Sequence, residues 1–67
     1  MDIKINGEIQ SVPDVIRTIL DLFDYLALKP QGRIVELNGE LCLADVFSEK
    51  IVGSGSVVEI IQFMGGG

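Results

Sequence analysis

The residues of this chain best placed to do chemistry have no side chains. The sequence ends Phe63-Met64-Gly65-Gly66-Gly67. Three consecutive terminal glycines cannot pack, cap or pair through side chains, and their backbone freedom makes them costly to order. One reading is a frayed end, which many chains have. The other is a thin arm that carries the terminal carboxylate into a narrow active site where any β-carbon would collide. The reacting group is then the α-carboxylate of Gly67, with Gly66 beside it and Gly65 as supporting arm. Side-chain chemistry offers little competition. Without His, neither Ser nor Cys has an imidazole base, and the single Cys42 makes no zinc cluster, so no metal site is expected. The run Gly53-Ser54-Gly55-Ser56-Val57 fits neither G-x-S-x-G nor G-x-G-x-x-G and reads as a turn before a strand. Cys42 has no cationic neighbour in sequence to lower its pKa and reads as a small strand hydrophobe.

Something must hold that terminus in place, and composition bounds what it can be. Sixty-seven residues allow one domain, and 48% hydrophobic residues are enough to bury a core. Such a core supplies only about 3–5 kcal/mol. A net charge of −5 argues against phosphate-backbone binding, which needs clustered Lys and Arg, so no nucleic acid partner is expected. There is no apolar run of membrane-spanning length, no signal-peptide pattern at Met1-Asp2-Ile3-Lys4, and no second Cys for a disulfide. The expected setting is soluble, reducing and cytoplasmic, away from membranes.

Apolar and charged residues alternate over Met1 to Ile5, which predicts a half-buried strand with Met1, Ile3 and Ile5 inward. Asn6-Gly7 predicts a hairpin returning over Glu8 to Ser11, with a bulge at Gly7 that pairs Ile5 with Ile9. Ser11-Val12-Pro13-Asp14 reads as a helix start. The spacing of Val15, Ile16, Ile19, Leu20, Phe23 and Leu26 predicts a helix to about Leu26, ended by Lys29-Pro30-Gln31-Gly32. A second hairpin follows through Asn38-Gly39, joining Arg33 to Leu37 with Glu40 to Leu43; Val35, Leu37, Leu41 and Leu43 are expected inward and Ile34 and Glu36 outward. Asp45 to Ser48 suits one helical turn, with Val46 or Phe47 plugging the core. The most apolar strand, Val57 to Phe63, should be central. One helix covering a small mixed sheet gives an α+β roll of β-grasp type. The expected division is a β-grasp domain over 1–63 and a flexible Gly-rich tail over 64–67.

Val58-Glu59-Ile60-Ile61-Gln62-Phe63-Met64 running into Gly65-Gly66-Gly67, preceded by Glu36-Leu37-Asn38-Gly39-Glu40, resembles the ThiS family of ubiquitin-like sulfur carriers in thiamine thiazole biosynthesis. The resemblance spans essentially the whole chain and is most specific at the last strand and the Gly-Gly end. It implies an E1-like adenylyltransferase of ThiF type that uses Mg-ATP to convert the Gly67 carboxylate to an acyl-adenylate. Sulfur from a persulfide donor then displaces AMP to leave a thiocarboxylate, which a thiazole synthase of ThiG type consumes. On this reading the chain is a co-substrate and a free monomer, with no intrinsic cofactor. Alternatives are a carrier of the molybdopterin-synthase small-subunit type, a ubiquitin-like protein modifier, and a β-grasp interaction module without tail chemistry.

Ile61 and Phe63 should lie on the face opposite Val58 and Ile60. That makes them candidate docking residues for partner enzymes, unless a neighbouring loop covers them. Ile34 extends the same patch, and Met64 sits at the hinge between strand and tail. The carboxylates of Glu36, Glu40, Glu49 and Glu59 could steer docking, although such charges more commonly just keep a small domain soluble.

Overall fold

Two Asn-Gly steps set the register of the two hairpins in the sheet. In the computed structural model, which describes residues 1–63, φ is 49° at Asn6 and 85° at Gly7, and 50° at Asn38 and 87° at Gly39. Two successive positive φ values make the two-residue turn whose twist matches that of paired strands. Strand β1 (Asp2–Ile5) therefore pairs with β2 (Glu8–Ser11) so that Ile5 faces Glu8 and Lys4 faces Ile9. The expected bulge does not form, and Ile9 points outward, 73% exposed. The same turn joins β3 (Arg33–Leu37) to β4 (Glu40–Cys42), setting Leu37 opposite Glu40 and Val35 opposite Cys42. Cys42 is thus the inward residue, while Leu41 and Leu43, expected in the core, are exposed. A one-residue slip in register exchanges the two faces of a strand.

Strand β5 (Val57–Gln62) is central, as its composition predicts: the sheet order is β2-β1-β5-β3-β4, with β5 parallel to β1 and antiparallel to β3. The turn ahead of it is tied down, with Gly55 at φ 84° and the Ser56 hydroxyl oxygen accepting from the Gly53 N–H at 2.9 Å.

Helix α1 (Ile19–Tyr25) starts seven residues later than Val12, where the Ser-Val-Pro-Asp signal placed it. The segment before it has other work. The Val12 N–H donates to the Met1 carbonyl, and residues 17–19 exchange backbone hydrogen bonds with Lys50 and Val52. Ile16 is buried without being helical, and Val15, expected on the apolar face, is 77% exposed. The N-cap that prevails is Thr18, whose Oγ1 accepts from the Asp21 N–H at 3.1 Å while Asp21 Oδ2 accepts from the Thr18 and Arg17 N–H groups. This reciprocal box satisfies donors that Pro13-Asp14 leaves unaddressed. At the other end Leu28 N–H reaches the Phe23 carbonyl and Ala27 N–H that of Asp24, with Ala27 at φ 58°. That is a Schellman cap with alanine where glycine is usual.

The helix lays Ile19, Leu22 and Phe23 over Ile3, Ile5, Val35, Leu37, Cys42 and Val58. A 3-10 turn (Ala44–Val46) follows β4 and inserts Phe47, fully buried, with its ring centroid 4.9 Å from that of Phe23. No buried side-chain polar atom lacks a partner among the described residues. One main helix packed on one face of a mixed five-stranded sheet is the ubiquitin-like β-grasp roll expected from the sequence.

Candidate functional site

The strand that leads to the terminal glycines is held on both sides in the sheet. β5 pairs with β3 over five residues, from Leu37 opposite Val58 to Arg33 opposite Gln62. On its other side β1 reaches only to Ile5 opposite Val58. Beyond that point Asn6 extends the ladder, its Oδ1 accepting from the Ile60 N–H at 2.7 Å. Asn38 does the same at the start of the strand, accepting from the Val57 N–H at 2.8 Å. Both turn asparagines therefore fasten β5, a role their sequence context does not reveal. The Phe63 N–H continues the contact by donating to the Gly32 carbonyl at 2.9 Å. Met64, Gly65, Gly66 and Gly67, which carry the tail reading, lie outside the described residues.

The candidate docking residues fall on the face of the sheet away from the helix. Ile61 and Phe63 are exposed, at 42% and 52%, and Ile34 is half-buried directly across from Ile61. Among the described residues no loop buries Ile61 or Phe63. Sequence reasoning missed their continuation. Val57, Leu41 and Leu43 add exposed apolar surface, and the signal that could have found the two leucines was the two-residue turn at Asn38-Gly39. Between the Ile34/Ile61 rung and Val57 lies a rung of two carboxylates, Glu36 opposite Glu59, with Leu41 next to Glu36 across β4.

On the other side of β5, near its end, is a groove of about 380 Å³ whose walls include Leu26, Leu28, Ile60, Arg33 and Gln62. The Arg33 guanidinium is committed there, donating to the Lys29 carbonyl at 2.7 Å and to Gln62 Oε1 at 3.4 Å.

Cys42 is buried, and burial together with the nearby Glu40 carboxylate pushes its thiol up, away from thiolate reactivity. Glu40 is itself paired with Lys50 at 3.2 Å, which raises the lysine. Asp14 accepts from the Met1 ammonium at 2.9 Å and is lowered by that hydrogen bond and charge. Among the described residues no three His, Cys, Asp or Glu side chains gather to hold a metal ion, and no helix is long and apolar enough to cross a membrane.

Comparison with known proteins places this geometry. The model of the ThiS family matches residues 3–67. The crystal structure of the thiamine biosynthesis protein ThiS from Geobacter metallireducens is 32% identical over the whole of both chains and superposes with a TM-score of 0.85. An NMR solution structure of a thiamine biosynthesis protein from the same organism is likewise 32% identical, covering all of this chain and 88% of that one, with a TM-score of 0.78. No curated protein matches the chain.

Proposed function

The chain belongs to the ThiS family, and from that premise we propose that it is a sulfur carrier for thiazole formation in thiamine biosynthesis, acting as a co-substrate with the Gly67 carboxylate as its reactive group. The observation that carries the reading is the extent of the family match, which runs through the closing strand into Gly65-Gly66-Gly67. The roll over residues 1–63 is then the docking body and residues 64–67 are the arm.

A free carboxylate resists nucleophiles, so it must first be activated. A ThiF-type adenylyltransferase with Mg-ATP supplies the activation: a Gly67 carboxylate oxygen attacks the α-phosphorus of ATP, pyrophosphate leaves, and the product is a mixed anhydride with AMP. The terminal sulfur of a persulfide attacks the activated carbonyl and AMP departs. Cleavage of the S–S bond by a thiol leaves the thiocarboxylate, a nucleophilic sulfur for a ThiG-type thiazole synthase. ATP and Mg belong to the partner's site. Within this scheme β5 anchors the arm, Met64 is the hinge at a partner's channel mouth, Gly65 and Gly66 are slim enough to thread it, and Ile61, Phe63 and Ile34 meet the enzyme surface.

The test is intact-mass analysis after incubation with the adenylating enzyme, ATP and a sulfur source, followed by fragmentation. Replacement of oxygen by sulfur confined to the Gly67 carboxyl is the expected result. An equal mass gain on Met1 or Met64 would be side-chain oxidation and would count against the reading. Deleting Gly67 should abolish adenylation while leaving the circular dichroism spectrum unchanged.

A further inference from the structure

The rung at the middle of the open sheet face is electrostatically unfavourable. Glu36 and Glu59 face each other across β3 and β5, and like charges directly opposite in an antiparallel pair repel. Neither carboxylate has an ion-pair partner among the described residues, where the ion pairs are Met1 with Asp14 and Lys50 with Glu40. Glu36 is exposed and Glu59 is half-buried. Apolar groups flank the pair on the same face: Val57 and Ile61 two residues either side of Glu59, Ile34 two residues before Glu36, and Leu41 across from it, while Asn38 and, on the β1 side, Lys4 and Asn6 are its polar neighbours. The result is two carboxylates without an ion-pair partner beside exposed apolar groups, on a chain of net charge −5 whose cation on this part of the face, Lys4, stands opposite Val57 rather than either glutamate.

We propose that this face docks the adenylating partner by taking one of that partner's basic side chains, an arginine or lysine, between the Glu36 and Glu59 carboxylates while the flanking apolar groups are covered. The proposal rests on the carrier reading above and adds to it the chemistry that selects the partner. The patch provides the area and the carboxylates provide the complement. A guanidinium offers donors to both carboxylates at once. Covering the flanking apolar groups removes water from the contact and strengthens it, and an apolar partner surface lacking the cation would leave two carboxylates buried and unpaired. The repulsion borne by the free protein is relieved on docking, so Glu36 and Glu59 should act in opposite directions on folding and on binding.

The experiment compares the full chain, its Glu36→Gln/Glu59→Gln variant and a control with the same charge change at exposed carboxylates away from the open face, Glu8→Gln/Asp24→Asn. Each is titrated against the ThiF-type enzyme encoded in the same genome, at low and high salt, and each is melted alone. The Glu36/Glu59 variant should bind about tenfold more weakly, lose most of the salt dependence of binding, and melt no lower than the parent. The control should bind as the parent does. Equal weakening of both variants would reduce the effect to net charge and overturn the seat, as would unchanged binding by the Glu36/Glu59 variant. If the parent chain is neither bound nor adenylated, the carrier reading falls and the seat with it; if the parent is adenylated and the Glu36/Glu59 variant binds equally well, only the seat falls.

Discussion

Both faces of the sheet carry Ile, Leu and Val side chains, and those side chains have opposite fates. Under the helix, Ile3, Ile5, Val35, Leu37, Cys42 and Val58 are all buried. On the open side, Ile9, Leu41, Val57 and Ile61 stand between 42% and 73% exposed. Val57 and Val58 are adjacent and chemically identical, yet one is at 42% and the other at 0%. Hydrophobicity alone therefore does not separate core from surface here; strand parity does. One face supplies the core of the roll, and the other leaves its apolar side chains exposed.

Breaking the covered face should be the most damaging change. Phe47 plugs the core against Phe23 from the 3-10 turn after β4, and truncation of a buried aromatic costs about 3–5 kcal/mol. A core of this size supplies about as much in total. Phe47→Ala should therefore abolish the cooperative urea transition followed by circular dichroism. A gentler probe exploits the neighbouring valines. Val58→Thr keeps shape and β-branching but buries a hydroxyl, with an expected loss of about 1–3 kcal/mol, while Val57→Thr should stay within about 0.5 kcal/mol of the parent. Equal losses at both positions would contradict the assignment of faces.

How far this division can be read from the sequence varies along the chain. Strand periodicity around Ile3 and Ile5, the central place of the strand expected over Val57 to Phe63 and a core plug from the turn at Asp45 to Ser48 are local patterns and were legible, although the pattern left Val46 and Phe47 both open as the plug. Ile9, Leu41 and Leu43 were not, because their facing depends on whether Asn6-Gly7 and Asn38-Gly39 close with two residues or three. The helix start was displaced because Ser11, Pro13 and Asp14 imitate a cap, while the bonds of residues 17–19 to Lys50 and Val52 are long-range and leave no local mark. The Thr18-x-x-Asp21 box was legible in principle and was masked by the longer apolar spacing that runs back through Ile16 and Val15. The docking candidates Ile61 and Phe63 follow from parity alone. The Glu36 and Glu59 rung requires two strands to be in register, which no single segment encodes.

Changes at the helix ends sharpen the comparison by adjusting the covered face without touching its core. Thr18→Ala removes the N-cap acceptor and should cost about 1 kcal/mol. Ala27→Gly should shift stability the other way, by about 1 kcal/mol, since Ala27 holds φ 58° where L side chains are strained. Both are read from urea midpoints. The Asp21 half of the box adds a pH signature. Its carboxyl is held below 3.8 by the Arg17 and Thr18 N–H groups, so the folded chain binds that proton less readily than the unfolded chain. The contribution is complete above the unfolded value and is lost as pH falls through the lowered folded one. Asp21→Asn should lose less stability than the parent on acidification from neutral pH to about pH 2.

The smallest expected effect on folding is the most informative about the open face. Ile61 is 42% exposed and Ile34, its cross-strand partner, is half-buried. Ile61→Thr preserves β-branching and so the fit to a strand. Its hydroxyl reaches water, unlike the one placed at Val58, and no cavity forms. The urea midpoint should move by no more than the equivalent of about 0.5 kcal/mol. Binding to the adenylating enzyme should weaken nonetheless, because an apolar contact that is desolvated only in the complex would then carry a polar group. A loss of folding stability comparable to that of Val58→Thr would mean that Ile61 belongs to the core. Unchanged folding with unchanged binding would move the contact surface elsewhere. Unchanged folding with weakened binding would separate the two faces by function as parity separates them by geometry.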